Sequence, residues 1–133
     1  MIKRKLGRTG YEVTALGLGC FQFTGEYSID PNTTEELMDY AMKSEINLFD
    51  TAQMYGFGES EEITYRGAFK HPEKTCYISD KIGYLHNRTI TRAKGYEAYL
   101  DPVEIRRAVK HSLWLSRRDH LDIMMIHEAD WDC

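Results

Sequence analysis

The chain has 133 residues, 42% of them hydrophobic and 29% charged, which is an ordinary composition and size for one folded domain. Its net charge of −4 speaks against a nucleic-acid surface, and the basic residues at Arg88 to Lys94 and Arg106 to Arg118 read as a solvated loop and helix face. No stretch approaches the roughly 18 apolar residues of a membrane span, Met1-Ile2-Lys3-Arg4-Lys5 leads into no signal-peptide core, and Cys20, Cys76 and Cys133 have neither disulfide nor metal spacing, so a cytoplasmic protein is expected.

In chain order, Lys3 to Leu6 and Glu12 to Leu16 flank Gly7-Arg8-Thr9-Gly10 and predict a β-hairpin. Val13 to Gly19 then enters a polar loop. Thr33-Thr34-Glu35-Glu36 has the form of a capping box, and Leu37, Met38, Ala41 and Met42 follow at helical spacing, predicting a helix over Thr33 to Ser44. A short apolar run, Ile46 to Phe49, ends at Asp50. Ser60 to Lys70 predicts a second helix, with Pro72 just beyond its end. Thr75 to Ser79 predicts a strand leading to Asp80-Lys81, and the polar stretch Gly83 to Leu100 gives no clear assignment. Asp101-Pro102-Val103-Glu104 is a strong helix start, with Val103, Ala108, Val109, Ser112 and Leu113 as the expected buried stripe. The last apolar run, Leu121 to Ile126, delivers His127. A hairpin followed by alternating strands and helices predicts parallel strands joined by helical crossovers, in one domain over residues 1–133.

Three of these strands run into an ionisable residue: Asp50, Lys81 and His127. Parallel strands would bring them together at the C-terminal edge of the sheet, where α/β enzymes hold their active sites, and Tyr55 lies in a loop on that edge. Singly, each has an ordinary explanation as a surface, capping or loop residue. Together they form a chemical unit. An ammonium beside a phenol favours the phenolate, a carboxylate keeps the ammonium charged, and an imidazole N–H can bind a substrate oxygen. Such a group suits protonation of a carbonyl oxygen as a hydride reaches its carbon.

The sequence resembles the aldo-keto reductases. The resemblance lies in Arg4-Lys5-Leu6-Gly7-Arg8-Thr9-Gly10, Val13 to Gly19, Ile46-Asn47-Leu48-Phe49-Asp50-Thr51-Ala52-Gln53-Met54-Tyr55-Gly56, Gly58-Glu59-Ser60-Glu61-Glu62, Lys81-Ile82-Gly83, and Leu121-Asp122-Ile123 leading to His127. It implies a (β/α)8 TIM-barrel fold, present here as the N-terminal hairpin and about four βα units of the roughly 250 residues such a barrel needs. It also implies reduction of an aldehyde or ketone by NADPH, or less often NADH, bound without a Rossmann fingerprint. In keeping with that, Gln22 stands where a third glycine would follow Gly17-Leu18-Gly19. By the same resemblance Tyr55 is the general acid, Lys81 activates it, Asp50 pairs with Lys81, His127 positions the carbonyl, and Gly19, Cys20 and Asp50 line the cofactor site; no metal is implied.

Three positions depart from the family pattern: Glu45 where Gly is usual before the Ile-Asn pair, Tyr65-Arg66 in the second helix, and Ser116-Arg117-Arg118 in place of Leu-Gly before the last strand. Two other readings stand beside carbonyl reduction. One is Schiff-base chemistry at Lys81; the other is a non-catalytic half-barrel that self-associates through its open strand edges. The chain alone is expected to be inactive. Phe21, Phe23, Met54 and Trp131 are candidates to line a substrate pocket.

Overall fold

The computed structural model describes residues 1–25, 29–82 and 101–127. The element order is β1 (Lys3–Lys5), β2 (Glu12–Thr14), β3 (Leu18–Gly19), α1 (Pro31–Lys43), β4 (Leu48–Asp50), α2 (Glu59–Phe69), β5 (Tyr77–Ile82), α3 (Pro102–Ser116) and β6 (Ile123–Ile126). β1 and β2 pair antiparallel as the expected hairpin. β3, β4, β5 and β6 form one sheet in that spatial order, every neighbouring pair parallel. Sequential parallel strands with a helix between them are the repeating unit of a (β/α) barrel. The expected Gly83 to Leu100 segment and Trp131 lie outside the described residues.

The core sits between the sheet and the helices. Phe49 and Ile78 of the central strands pack with Met38, Ala41 and Met42 of α1 and with Ile63, Tyr65 and Ala68 of α2. Gly67 lets α1 and α2 approach closely, since a Cβ there would lie 2.9 Å from Met38 Cε. The hairpin is fastened to the sheet by buried Asn47. Its Oδ1 accepts from Thr14 N at 2.7 Å and its Nδ2 donates to the Glu12 carbonyl at 2.9 Å. Asp122, the polar exception in the last apolar run, accepts from Ile78 N at 3.0 Å and from Arg118 at 2.7 Å, setting β6 against β5.

Several local expectations change. Helix α1 begins at Pro31 rather than Thr33, because Asp30 caps it by accepting from Asn32 N at 2.8 Å while Pro31 takes a first-turn position. Lys81 lies inside β5, not beyond its end, since that strand runs on to Ile82. In α3 the capping residue is Asp101 and Ala108 and Ser112 are buried, as expected, but Ser116 is buried as well, Val109 and Leu113 are only partly covered, and Val103 is exposed. The outermost strand is only half covered, with Met125 and Ile126 exposed.

Candidate active site

The strand register places the sequence-predicted residues in neighbouring rows. Gly19 pairs with Asp50, and Asp50 with Ser79, while Lys81 pairs with Met125 two residues further along. His127 follows β6 directly and donates its backbone N–H to the Ile82 carbonyl at 2.7 Å. All of these sit at or near the C-terminal edge of the parallel sheet.

Tyr55 arrives by a tight turn after β4. The Thr51 N–H donates to the Ser79 carbonyl at 2.8 Å and the Gln53 N–H to the Lys81 carbonyl at 3.2 Å, so the turn begins as a continuation of the sheet. Thr51 Oγ1 and Ser60 Oγ are 2.9 Å apart, and Ser60 donates to the Cys20 carbonyl at 2.6 Å. Gly56 and Phe57 both take left-handed backbone angles, which turn the chain sharply into α2. Gly56 has to be glycine: a Cβ there would lie 2.5 Å from Thr24 Cγ2. Glu59 closes the neighbouring loop by accepting from Gly25 N at 2.9 Å.

Lys81 is the hub. Its Nζ donates to Asp50 Oδ2 at 2.7 Å, to the Thr51 carbonyl at 2.8 Å and to the Tyr55 hydroxyl at 3.1 Å, which uses all three ammonium protons. Burial pulls the Lys81 ammonium toward the neutral form, but the bonds to Asp50 and Tyr55 outweigh it and hold its pKa above the ordinary 10.5. His127 closes the group from the far side, its ring edge-on to Tyr55 with centroids 5.4 Å apart. Asp50, Tyr55, Lys81 and His127 are thus brought together as one cluster.

The remaining expected residues divide. Gly19 is exposed at the end of β3, and a Cβ there would meet nothing within 4 Å, leaving open room above the strand. Cys20 is fully buried: burial pushes its thiol pKa up to about 11, its N–H donates to the Asp50 carbonyl at 2.8 Å and its carbonyl accepts from Ser60, so the expected cofactor contact finds no free polar group on it. Phe21 is exposed and stacks edge-on against Tyr55 at 4.8 Å, and Met54 is exposed beside it, whereas Phe23 is core. Sequence reasoning missed Gln53 and Asp80, both fully buried behind the site. The signal available for each was a polar residue inside an otherwise apolar or turn segment.

A phenol held by a charged lysine, itself held by a carboxylate, lies on the C-terminal edge of a parallel (β/α) sheet, the edge where barrel enzymes carry their sites. The Aldo/keto reductase family model matches residues 15–133. The chain belongs to the aldo/keto reductase family, and its fold is of the TIM-barrel class. It is 33% identical over 129 residues to the uncharacterized oxidoreductase YqkF of Bacillus subtilis, covering 96% of this chain and 39% of that protein. It is 40% identical over 84 residues to pyridoxal 4-dehydrogenase of Microbacterium luteolum, covering 62% of this chain and 24% of that protein. The holo form of aldo-keto reductase AKR11C1 from Bacillus halodurans superposes with a TM-score of 0.76 at 28% identity, covering 99% of this chain and 42% of that one. The chain therefore spans well under half the length of each of these relatives.

Proposed function

We propose that these residues form the proton-donating side of a carbonyl-reducing site, turning an aldehyde or ketone into an alcohol with Tyr55 as general acid. The observation that supports this best is the Lys81 ammonium bonded at once to Asp50, to the Thr51 carbonyl and to the Tyr55 hydroxyl. As Tyr55 gives its proton to the carbonyl oxygen, the phenolate left behind is stabilised by Lys81, and Asp50 keeps Lys81 charged. His127, whose ring lies edge-on to Tyr55, would orient the carbonyl by a ring N–H.

The open space over Gly19 and the half-exposed Asp50 carboxylate leave room for a nicotinamide ring beside Tyr55. Gly19 and Asp50 would hold that end of NADPH, or less often NADH, which when bound supplies the hydride. The holo state of the Bacillus halodurans relative is in keeping with this. Schiff-base chemistry at Lys81 is disfavoured, because an ammonium held by a carboxylate, a carbonyl and a phenol is a poor nucleophile.

A second reading has its own observation. Among the described residues β6 is an outer strand of the sheet, with Met125 and Ile126 exposed, and an outer strand's edge is a pairing surface. Self-association through that edge would cover it.

The test is NADPH consumption at 340 nm with simple aldehydes, measured on the 133-residue chain and on the same chain joined to the C-terminal remainder of a full-length relative. Aldehyde-dependent turnover by the joined protein, and none by the chain alone, is the expected result. A joined protein that folds and binds NADPH yet reduces none of a broad aldehyde panel would overturn the proposal.

A further inference from the structure

The turn that carries Tyr55 is tied on its strand side by backbone bonds to β5, and the Gln53 side chain ties it to α3. This residue is 1% exposed and points away from the site, into the junction with α3. Its Nε2 donates to the Ala108 carbonyl and to Ser112 Oγ, both at 2.8 Å, so both amide protons are used by a helix more than fifty residues away in sequence. Ala108 and Ser112 are themselves buried, on the face of α3 turned to the rest of the fold.

The helix that Gln53 grips is the one that leads, through Arg118 and Asp122, into β6 and on to His127. Tyr55 and His127 therefore reach the site from different βα units, and Gln53 spans the two. A leucine would fill the same volume without the cost of burying an amide, a cost that the two Nε2 bonds offset only in part, since Oε1 is buried without a hydrogen-bond partner among the described residues. What the amide adds over a leucine is direction: two bonds to fixed acceptors allow the turn one orientation, where apolar packing would tolerate several.

We infer that Gln53 is a positioning residue that fixes Tyr55 relative to His127 by fastening the Tyr55 turn to α3. The inference rests on Tyr55 being the proton donor, but its structural content can be read without turnover. The experiment labels the chain with 3-fluorotyrosine and follows the Tyr55 fluorine resonance, identified by its loss in Tyr55→Phe. In Gln53→Leu that resonance is expected to shift or split, while those of Tyr11 and Tyr77, stacked together at 4.4 Å in another part of the fold, stay in place. Ser112→Ala, which removes one acceptor and little volume, should move it the same way by less, and serves if Gln53→Leu fails to fold. In the joined protein, Gln53→Leu should lower kcat by about 10²-fold, the cost of a misplacement near 1 Å, with KM within about twofold. A Tyr55 resonance unmoved in both folded variants would overturn the inference, as would all tyrosine resonances moving together. If the resonance moves and the joined parent shows no turnover, the positioning stands and carbonyl reduction falls.

Discussion

Glu45, Phe57 and Arg117 hold positive φ angles of 67°, 57° and 53° without being glycine. A side chain in this region costs about 1–2 kcal/mol. Two of the three are the positions at which the sequence departs from the family pattern, Glu45 and Arg117. The structure supplies the reason that pattern prefers glycine there: Glu45 turns the chain from α1 into β4, and Arg117 terminates α3 in a left-handed cap. Each recovers part of the cost, Glu45 by pairing with the N-terminal amine at 3.1 Å and Arg117 by lying over the Phe69 ring at 5.0 Å. The Glu45 pair is exposed and worth little, so Glu45→Gly should raise stability by about 1 kcal/mol, read as a higher Tm. At Gly56 the sign reverses. Gly56→Ala meets Thr24 and an unfavourable φ together, so it should cost about 1–3 kcal/mol and move Tyr55; a variant as stable as the parent would contradict the turn geometry.

At the scale of elements, the third departure, Tyr65, is explained by a partner. Its hydroxyl donates to Asp80 Oδ2 at 3.1 Å, and Asp80 also accepts from the Lys81 backbone N–H at 2.8 Å. Glu61 lies beside this pair, fully buried, with neither carboxylate oxygen hydrogen-bonded among the described residues. Burial first, and then the charge of Asp80, push its pKa up to about 9 from 4.5; Ser112 from α3 favours the charged form, and His111 Nδ1 stands 3.9 Å away. A carboxyl with a raised folded pKa leaves stability undiminished below about 4.5. It then subtracts progressively as pH rises toward 9, because only the unfolded chain ionises over that window. Glu61→Gln should therefore flatten the fall in Tm between pH 5 and pH 9; an equally steep fall in the variant would show that another group is responsible. Phe49→Ala, at a fully buried position in β4, should cost about 3–5 kcal/mol in a urea titration.

The parallel sheet, its helices and the convergence of Asp50, Tyr55, Lys81 and His127 were legible in the sequence because they rest on local signals: short apolar runs, a proline-led helix start, and ionisable residues at strand ends. What was not legible depends on residues distant in the chain. The start of α1 is an exception, since Asp30-Pro31 carries the same local cap-and-proline signal as Asp101-Pro102 and the capping-box form of Thr33 to Glu36 masked it. Ala108 and Ser112 of the expected α3 stripe are buried, yet packing leaves Val103 exposed and turns Ser116 inward in addition. Gln53, Glu61 and Asp80 read as polar residues without a task until α2, α3 and β5 are stacked together.

For the whole molecule, β3 and β6 are the outer strands of the four-stranded sheet, and the matched relatives are more than twice as long. Exposed Met125 and Ile126 predict concentration-dependent association in sedimentation, and a monomer at all concentrations would remove the self-association reading. The proton-donating role of Tyr55 is central to the account, and Tyr55→Phe in the joined protein, assayed by aldehyde-dependent NADPH consumption, tests it most directly. Loss of the phenolic proton should lower kcat by about 10²- to 10⁴-fold while NADPH affinity is kept. A Tyr55→Phe protein that reduces aldehydes as fast as its parent would contradict it.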